Sequence, residues 1–197
     1  MIMLYKRRIY FDKLGKKIGF TFSKVSLSPN QWTFLSLVLA LIMLYFLINQ
    51  NFLFASVIFA FTAFIDVIDG AVARETKKVT KVGGYLDSIT DRAVEFIIIL
   101  GLSLNNYPDF IFSMKIWLLL LLFGSFMSTY TRAAAFEKKV FKDLKGGILE
   151  HTDRLILFLI VFIISIISLK YASYLIVLIA ILANISALQR FLRAIKR

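Results

Sequence analysis

The amino-acid sequence predicts an all-α integral membrane protein: six transmembrane helices behind an N-terminal amphipathic juxtamembrane segment. Three observations carry this expectation. The 197 residues are 59% hydrophobic with a mean hydropathy of +0.80, well above a water-soluble domain. The apolar residues gather in runs close to the ~20 that a helix needs to cross a bilayer core of about 30 Å. The positive residues, finally, occupy alternate gaps between those runs.

The six runs fall at 31–49, 53–73, 84–104, 115–136, 152–169 and 172–192. Lys6, Arg7, Arg8, Lys13, Lys16, Lys17 and Lys24 precede the first, and Lys77, Lys78 and Lys81 follow the second. Lys138, Lys139, Lys142 and Lys145 follow the fourth, and Arg190, Arg193, Lys196 and Arg197 close the chain. The remaining gaps, 49–52, 105–114 and 169–171, hold almost no charge. The positive-inside rule therefore predicts a multi-pass protein of the cell membrane with both termini in the cytoplasm. The formal charge of +12, from 24 Lys and Arg against 12 Asp and Glu, is explained by this topology and calls for no nucleic acid.

Two regions are predicted along the chain. Residues 1–27 are too basic and interrupted to span, and read as an amphipathic segment on an anionic leaflet rather than a removable signal peptide. Ile2, Leu4, Ile9, Tyr10, Leu14 and Ile18 would face lipid. Ser28-Pro29-Asn30 then marks the start of a six-helix domain over 28–197, with Pro suited to a first helical turn and Ser or Asn to a cap. With no cysteine, neither disulfides nor thiolate metal sites are available. Gly83-Gly84 and Gly146-Gly147 sit at two basic loop-to-helix junctions, where a flexible backbone can approach a ligand.

The acidic residues Asp66, Asp69, Asp87, Asp91, Glu95, Glu150 and Asp153 lie in or at the ends of the predicted spans. An ionised carboxylate at the middle of a span costs about 2.5–3.5 kcal/mol, so such residues need a compensating partner. Asp66 and Asp69 are three apart on one helix, and Asp87 and Asp91 four apart on the next, so each pair shares a face. The short basic segment 75–82 brings both pairs to the inner surface. Four carboxylates on two neighbouring helices form a hard-cation site suited to Mg²⁺, Mn²⁺ or Ca²⁺. Two ions are expected. Glu95, one turn beyond Asp91, reads as a helix-pairing residue.

The run Asp66-Val67-Ile68-Asp69-Gly70-Ala71-Val72-Ala73-Arg74, followed after eight residues by Gly83, Asp87 and Asp91, resembles the signature of the CDP-alcohol phosphotransferase family at all eight fixed positions. That resemblance implies six membrane helices, commonly a homodimer, and cleavage of a CDP-linked lipid with release of CMP. Phosphoryl transfer of this kind needs two cations, Mg²⁺ or Mn²⁺, held by Asp66, Asp69, Asp87 and Asp91, to neutralise the diphosphate and align attacking and leaving oxygens. Asp91 is the candidate catalytic base for the acceptor hydroxyl. Asn30, Thr33, Asp69, Gly70, Ala73, Arg74, Thr80 and Gly83 are the candidate CDP-lipid residues, with the Arg74 guanidinium suited to a phosphate.

Arg132, Arg154 and Arg190 or Arg193 lie near cytoplasmic ends of the later spans, and a cationic pocket there would favour a small phosphorylated alcohol as acceptor. The stretches 83–92 and 131–154 look most like the phosphatidyl- or archaetidyl-inositol-phosphate synthase branch. Inositol 1-phosphate is therefore the expected acceptor, and the lipid is diacyl or archaeal ether. His151 stands where that branch tends to carry arginine, so glycerol 3-phosphate and serine stay open as acceptors. His151 itself reads as a hydrogen-bonding interfacial residue. Outside this enzyme class, the intramembrane acids alone also fit a cation transporter; Gly70 and Arg74 favour phosphate handling instead.

Overall fold

The computed structural model describes residues 15–140 and 147–195. Among these, six long helices follow a short helical stretch at 15–22: α1 (Pro29–Ile48), α2 (Phe52–Glu75), α3 (Lys81–Ser103), α4 (Met114–Glu137), α5 (His151–Ile167) and α6 (Leu169–Ile195). No boundary lies more than three residues from the apolar run that predicted it. α1, α2, α4 and α6 are long and apolar enough to cross a membrane, which marks a membrane protein. α3 is long enough but carries Lys81, Asp87, Asp91, Arg92 and Glu95, and α5 has only 17 residues. The calls on Ile2, Leu4, Ile9, Tyr10, Leu14, Lys142, Lys145 and Gly146 lie outside the described residues.

Local chemistry sets the helix ends. Ser28 begins α1 as a capping box: its amide donates to Gln31 Oε1 at 2.7 Å, Pro29 takes the first helical position, and the Gln31 amide faces Ser28 Oγ at 3.4 Å. Asn51 caps α2 through the Phe54 amide at 3.3 Å. α2 ends with Lys77 in the left-handed region at φ 55°, and the Lys78 amide reaches back to the Ala73 carbonyl at 2.9 Å. Thr80 caps α3 through the Gly83 amide at 2.9 Å. A gap was expected at 169–171, yet those residues are already helical. The break between α5 and α6 is the single extended residue Ser168 (φ −161°, ψ 119°), whose carbonyl takes up the Ala172 amide.

The chain divides into two compact units. Among the described residues, the first comprises 15–42 and 58–94. Its apolar centre is Trp32, Ile65, Ile68 and Val72, with Leu35 and Leu39 of α1 beside them. Ile18, expected to face lipid, packs with Phe22 against this same cluster. The stretch at 15–22 is therefore anchored to protein through its apolar side.

Among the described residues, the second unit comprises 43–57, 95–140 and 147–195. Its main seam joins α4 to α6 through small residues. A Cβ placed on Gly124 would come within 2.8 Å of the Asn184 amide nitrogen, and Asn184 Nδ2 donates to the Leu120 carbonyl at 2.8 Å. Asn105 ties the end of α3 to that of α1, donating to the Leu47 carbonyl at 3.1 Å and the Gly101 carbonyl at 2.7 Å.

α3 and α5 are joined by charge. Arg154 Nε donates to Glu95 Oε1 at 2.6 Å and Nη2 to Oε2 at 3.3 Å, and the two residues are 1% and 0% exposed. Two parallel contacts are the geometry in which a buried guanidinium and carboxylate best offset their desolvation. Glu95 thus takes the helix-pairing role its position suggested. We expect Arg154→Ala to lower stability by about 3–5 kcal/mol, because it strands a buried carboxylate. The double replacement Glu95→Leu with Arg154→Met should recover most of that loss. Thermal unfolding in micelles checks both, and an Arg154→Ala variant as stable as the parent would contradict the pairing.

Candidate metal and nucleotide site

The first unit gathers the signature residues from the start of α1, the last turns of α2 and the first turns of α3. α2 turns Asp66 and Asp69 to one face through their three-residue spacing, and α3 supplies Asp87. One oxygen from each of these carboxylates lies within 4.8 Å of the others. Like charges about 4 Å apart repel by about 4 kcal/mol at an effective dielectric constant of about 20, so the arrangement calls for a counter-charge. An all-oxygen donor set of this density fits a hard divalent cation. Asp91, the fourth expected ligand, lies outside that group of three, although its charge acts on Asp69. Its carboxylate is about a quarter exposed, with Arg92 Nη2 at 3.9 Å from Oδ2.

Asp69 is the most buried of the set, at 5% exposure. Thr33 Oγ1 donates to its Oδ2 at 2.6 Å, which fixes the carboxylate rotamer and leaves Oδ1 to turn toward a cation. Thr33, assigned to the CDP-lipid region, therefore acts on that region through Asp69. Thr80 is occupied as the α3 cap, and a Cβ on Gly83 would meet its hydroxyl at 3.0 Å and Asn30 Oδ1 at 3.4 Å. Gly83 thus lets the cap and Asn30 come together. Gly70 does the same for Arg74: a Cβ there would stand 3.3 Å from the guanidinium Nη1.

These residues enclose a cavity of about 550 Å³. All eight residues expected to meet a CDP-lipid line it, namely Asn30, Thr33, Asp69, Gly70, Ala73, Arg74, Thr80 and Gly83, together with Asp66 and Asp87. A cavity with carboxylates on one wall and an exposed arginine on another can take a diphosphate bridged by a divalent cation.

The four arginines predicted for an acceptor phosphate belong to the second unit. Arg190 is buried; its Nη1 donates to the Ser128 carbonyl at 2.8 Å, while Nε has no hydrogen-bond partner among the described residues. Its electrostatic neighbours are Glu150, Arg154, Arg132 and Arg193, so the four guanidinium groups do gather in one region. Arg132 and Arg193 are exposed. Arg154 differs from the expectation of a free phosphate ligand: Nε and Nη2 face Glu95, and the side chain is 1% exposed. His151 Nδ1 stands 3.7 Å from Glu95 Oε2. The Asp153 carboxylate accepts from the Glu150 amide at 2.9 Å, a capping contact at the start of α5.

Comparison with known proteins agrees with this geometry. Residues 26–187 match the CDP-alcohol phosphatidyltransferase family. The archaetidylinositol phosphate synthase of Pyrococcus horikoshii is 35% identical over 158 residues, which cover 80% of this chain and 81% of that one. The crystal structure of Mycobacterium tuberculosis phosphatidylinositol phosphate synthase with CDP-DAG bound superposes with a TM-score of 0.77 at 25% identity, covering 94% of this chain and 98% of that one. The same protein in complex with manganese and citrate shares the fold, with a TM-score of 0.79 at 24% identity over 93% and 92% of the two chains. Signature, carboxylate trio and relatives agree, and the chain belongs to the CDP-alcohol phosphatidyltransferase family, as a membrane-bound transferase of substituted phosphate groups.

Proposed function

We propose that this enzyme transfers a phosphatidyl-type group from a CDP-linked lipid to inositol 1-phosphate and releases CMP. The observation that carries the donor half is that all eight candidate CDP-lipid residues, Asp69 among them, line one cavity together with Asp66 and Asp87. The acceptor half is supported by the inositol-phosphate products named for the relatives and by the arginine group around Arg190. Glycerol 3-phosphate and serine are the competing acceptors. Membership in a transferase family sets the transporter alternative aside.

In this reading Asp66, Asp69, Asp87 and Asp91 hold two divalent ions, Mg²⁺ or Mn²⁺. Bound there, the ions supply charge neutralisation for the diphosphate and for the departing CMP oxygen. Arg74 forks onto a donor phosphate, and Gly70 leaves its guanidinium room to do so. Asp91 takes the proton from the acceptor hydroxyl, whose oxygen forms a bond to the phosphorus nearest the lipid as the bond from that phosphorus to CMP breaks. Asp91 is suited to this because it stands outside the tight carboxylate group and is partly exposed. Arg132, Arg190, Arg193 and Arg154 are the candidate residues for the acceptor's phosphate.

The proposal extends to the membrane. All six helices, α3 and α5 included, would span, because a dimer or neighbouring helices can shield charges that a lone span could not. The basic gaps place both termini and the site in the cytoplasm. The enzyme is a homodimer, as its family commonly is.

Four outcomes are expected. Replacing Asp66, Asp69, Asp87 or Asp91 singly by Asn should reduce metal-dependent CMP release by about 10²-fold or more while insertion persists, and near-normal release by any two variants would remove the metal-site reading. Arg132→Ala should raise the KM for inositol 1-phosphate with little change for CDP-lipid, the signature of lost acceptor binding. Offered in parallel, inositol 1-phosphate should be used ahead of glycerol 3-phosphate, free inositol and serine; preference for an uncharged acceptor would overturn the arginine assignment. Single cysteines at Lys78 and Lys138 should label only from the cytoplasmic side, and labelling from outside intact cells would reverse the topology.

A further inference from the structure

The short helical stretch at 15–22 lies against α2 at the place where α2 delivers Arg74. A Cβ on Gly19 would come within 2.6 Å of the Ala71 carbonyl oxygen and 3.0 Å of Glu75 Cβ, so the two backbones meet there with no room for a side chain. Gly15, one turn earlier, looks onto the Arg74 guanidinium: a Cβ there would stand 4.0 Å from Nη2. Gly15-x-x-x-Gly19 is thus a small-residue face pressed on residues 71–75. The other edge of the stretch is fastened by Phe22, edge-on to Trp32 at 5.7 Å and to Phe64 at 6.0 Å.

The Arg74 side chain is accordingly bounded twice. Nη1 borders the Cβ-less space at Gly70, on the cavity wall, and Nη2 borders Gly15. Arg74 is exposed, and backbone on these two sides leaves its side chain fewer rotamers to lose when an anion arrives. Lys16 and Lys17, between the two glycines, are exposed and take no part in the contact.

We infer that Gly19 is a positioning residue for the donor substrate: its close contact with α2 seats the 15–22 stretch behind Arg74 and holds the guanidinium toward the cavity. The inference rests on the reading of that cavity as the CDP-lipid site. It assigns to the juxtamembrane stretch a part in donor affinity, beyond attachment to a lipid surface.

The test is a kinetic cycle on the full chain in lipid micelles, reading CMP release while CDP-lipid and inositol 1-phosphate are varied in turn. Gly19→Leu should raise the KM for CDP-lipid about tenfold, with kcat within about twofold and the acceptor KM unchanged. Phe22→Ala, which loosens the stretch without adding bulk, should give the same split to a smaller degree, and decides the matter alone if Gly19→Leu does not fold. Because the effect runs through Arg74, either change should add less than about twofold in an Arg74→Ala background. An undiminished effect in that background, a fall in kcat with both KM values unchanged, or no effect on the donor KM would overturn the inference. A donor KM that Arg74→Ala itself leaves unmoved would instead overturn the reading of the cavity.

Discussion

Negative charge in an apolar protein is the constraint around which the first unit is arranged. Asp66, Asp69 and Asp87 bring their oxygens within 4.8 Å of one another, the first two on a helix whose other residues are mostly Ile, Val, Phe and Ala. Water cannot relieve that repulsion at Asp69, which is buried. The neighbouring features answer to it. Thr33 fixes one oxygen of Asp69, Gly70 and Gly83 keep side-chain atoms out of the way, and Arg74 and Lys78 line the same cavity with opposite charge. A hard cation completes such an arrangement, and a diphosphate follows the cation.

The second unit meets the same constraint differently. There Glu95 is matched by a guanidinium of the protein itself, with both partners removed from solvent. The contrast separates two uses of acidic residues in an apolar protein. Where a cavity adjoins the carboxylates, as at Asp66, Asp69 and Asp87, exchange with a substrate is possible. Where the partner is Arg154, the charge serves attachment between helices.

Much of this was legible in the sequence because the relevant signals are local. Apolar runs of bilayer length place helix ends to within three residues, since caps such as Ser28 with Gln31 and Asn51 stand beside the runs they end. The spacing 66, 69, 87 reads as one face on each of two helices, and a short connection brings them together. Pairings across distance were not legible. Nothing near Arg154 in the chain announces that Glu95, 59 residues away, will occupy two of its donors. The same holds for Thr33, whose partner Asp69 is 36 residues distant. Ile18 misled because amphipathic spacing is the same for a helix facing lipid and one facing protein. Gly15 and Gly19 did carry a readable sign, four-residue spacing of small residues, but it lay within a basic stretch where charge is the more prominent pattern.

The buried bond between Glu95 and Arg154 also has a bearing on biosynthesis. During synthesis α3 is made before α5, because the arginine follows its carboxylate by 59 residues. During that interval Glu95 has no guanidinium to meet. Until the later helix arrives it must take up a proton or stay in contact with water. A chain stopped between α3 and α5 would therefore carry Glu95 without the arginine that matches it, so the pairing of these two helices belongs to the last stage of folding.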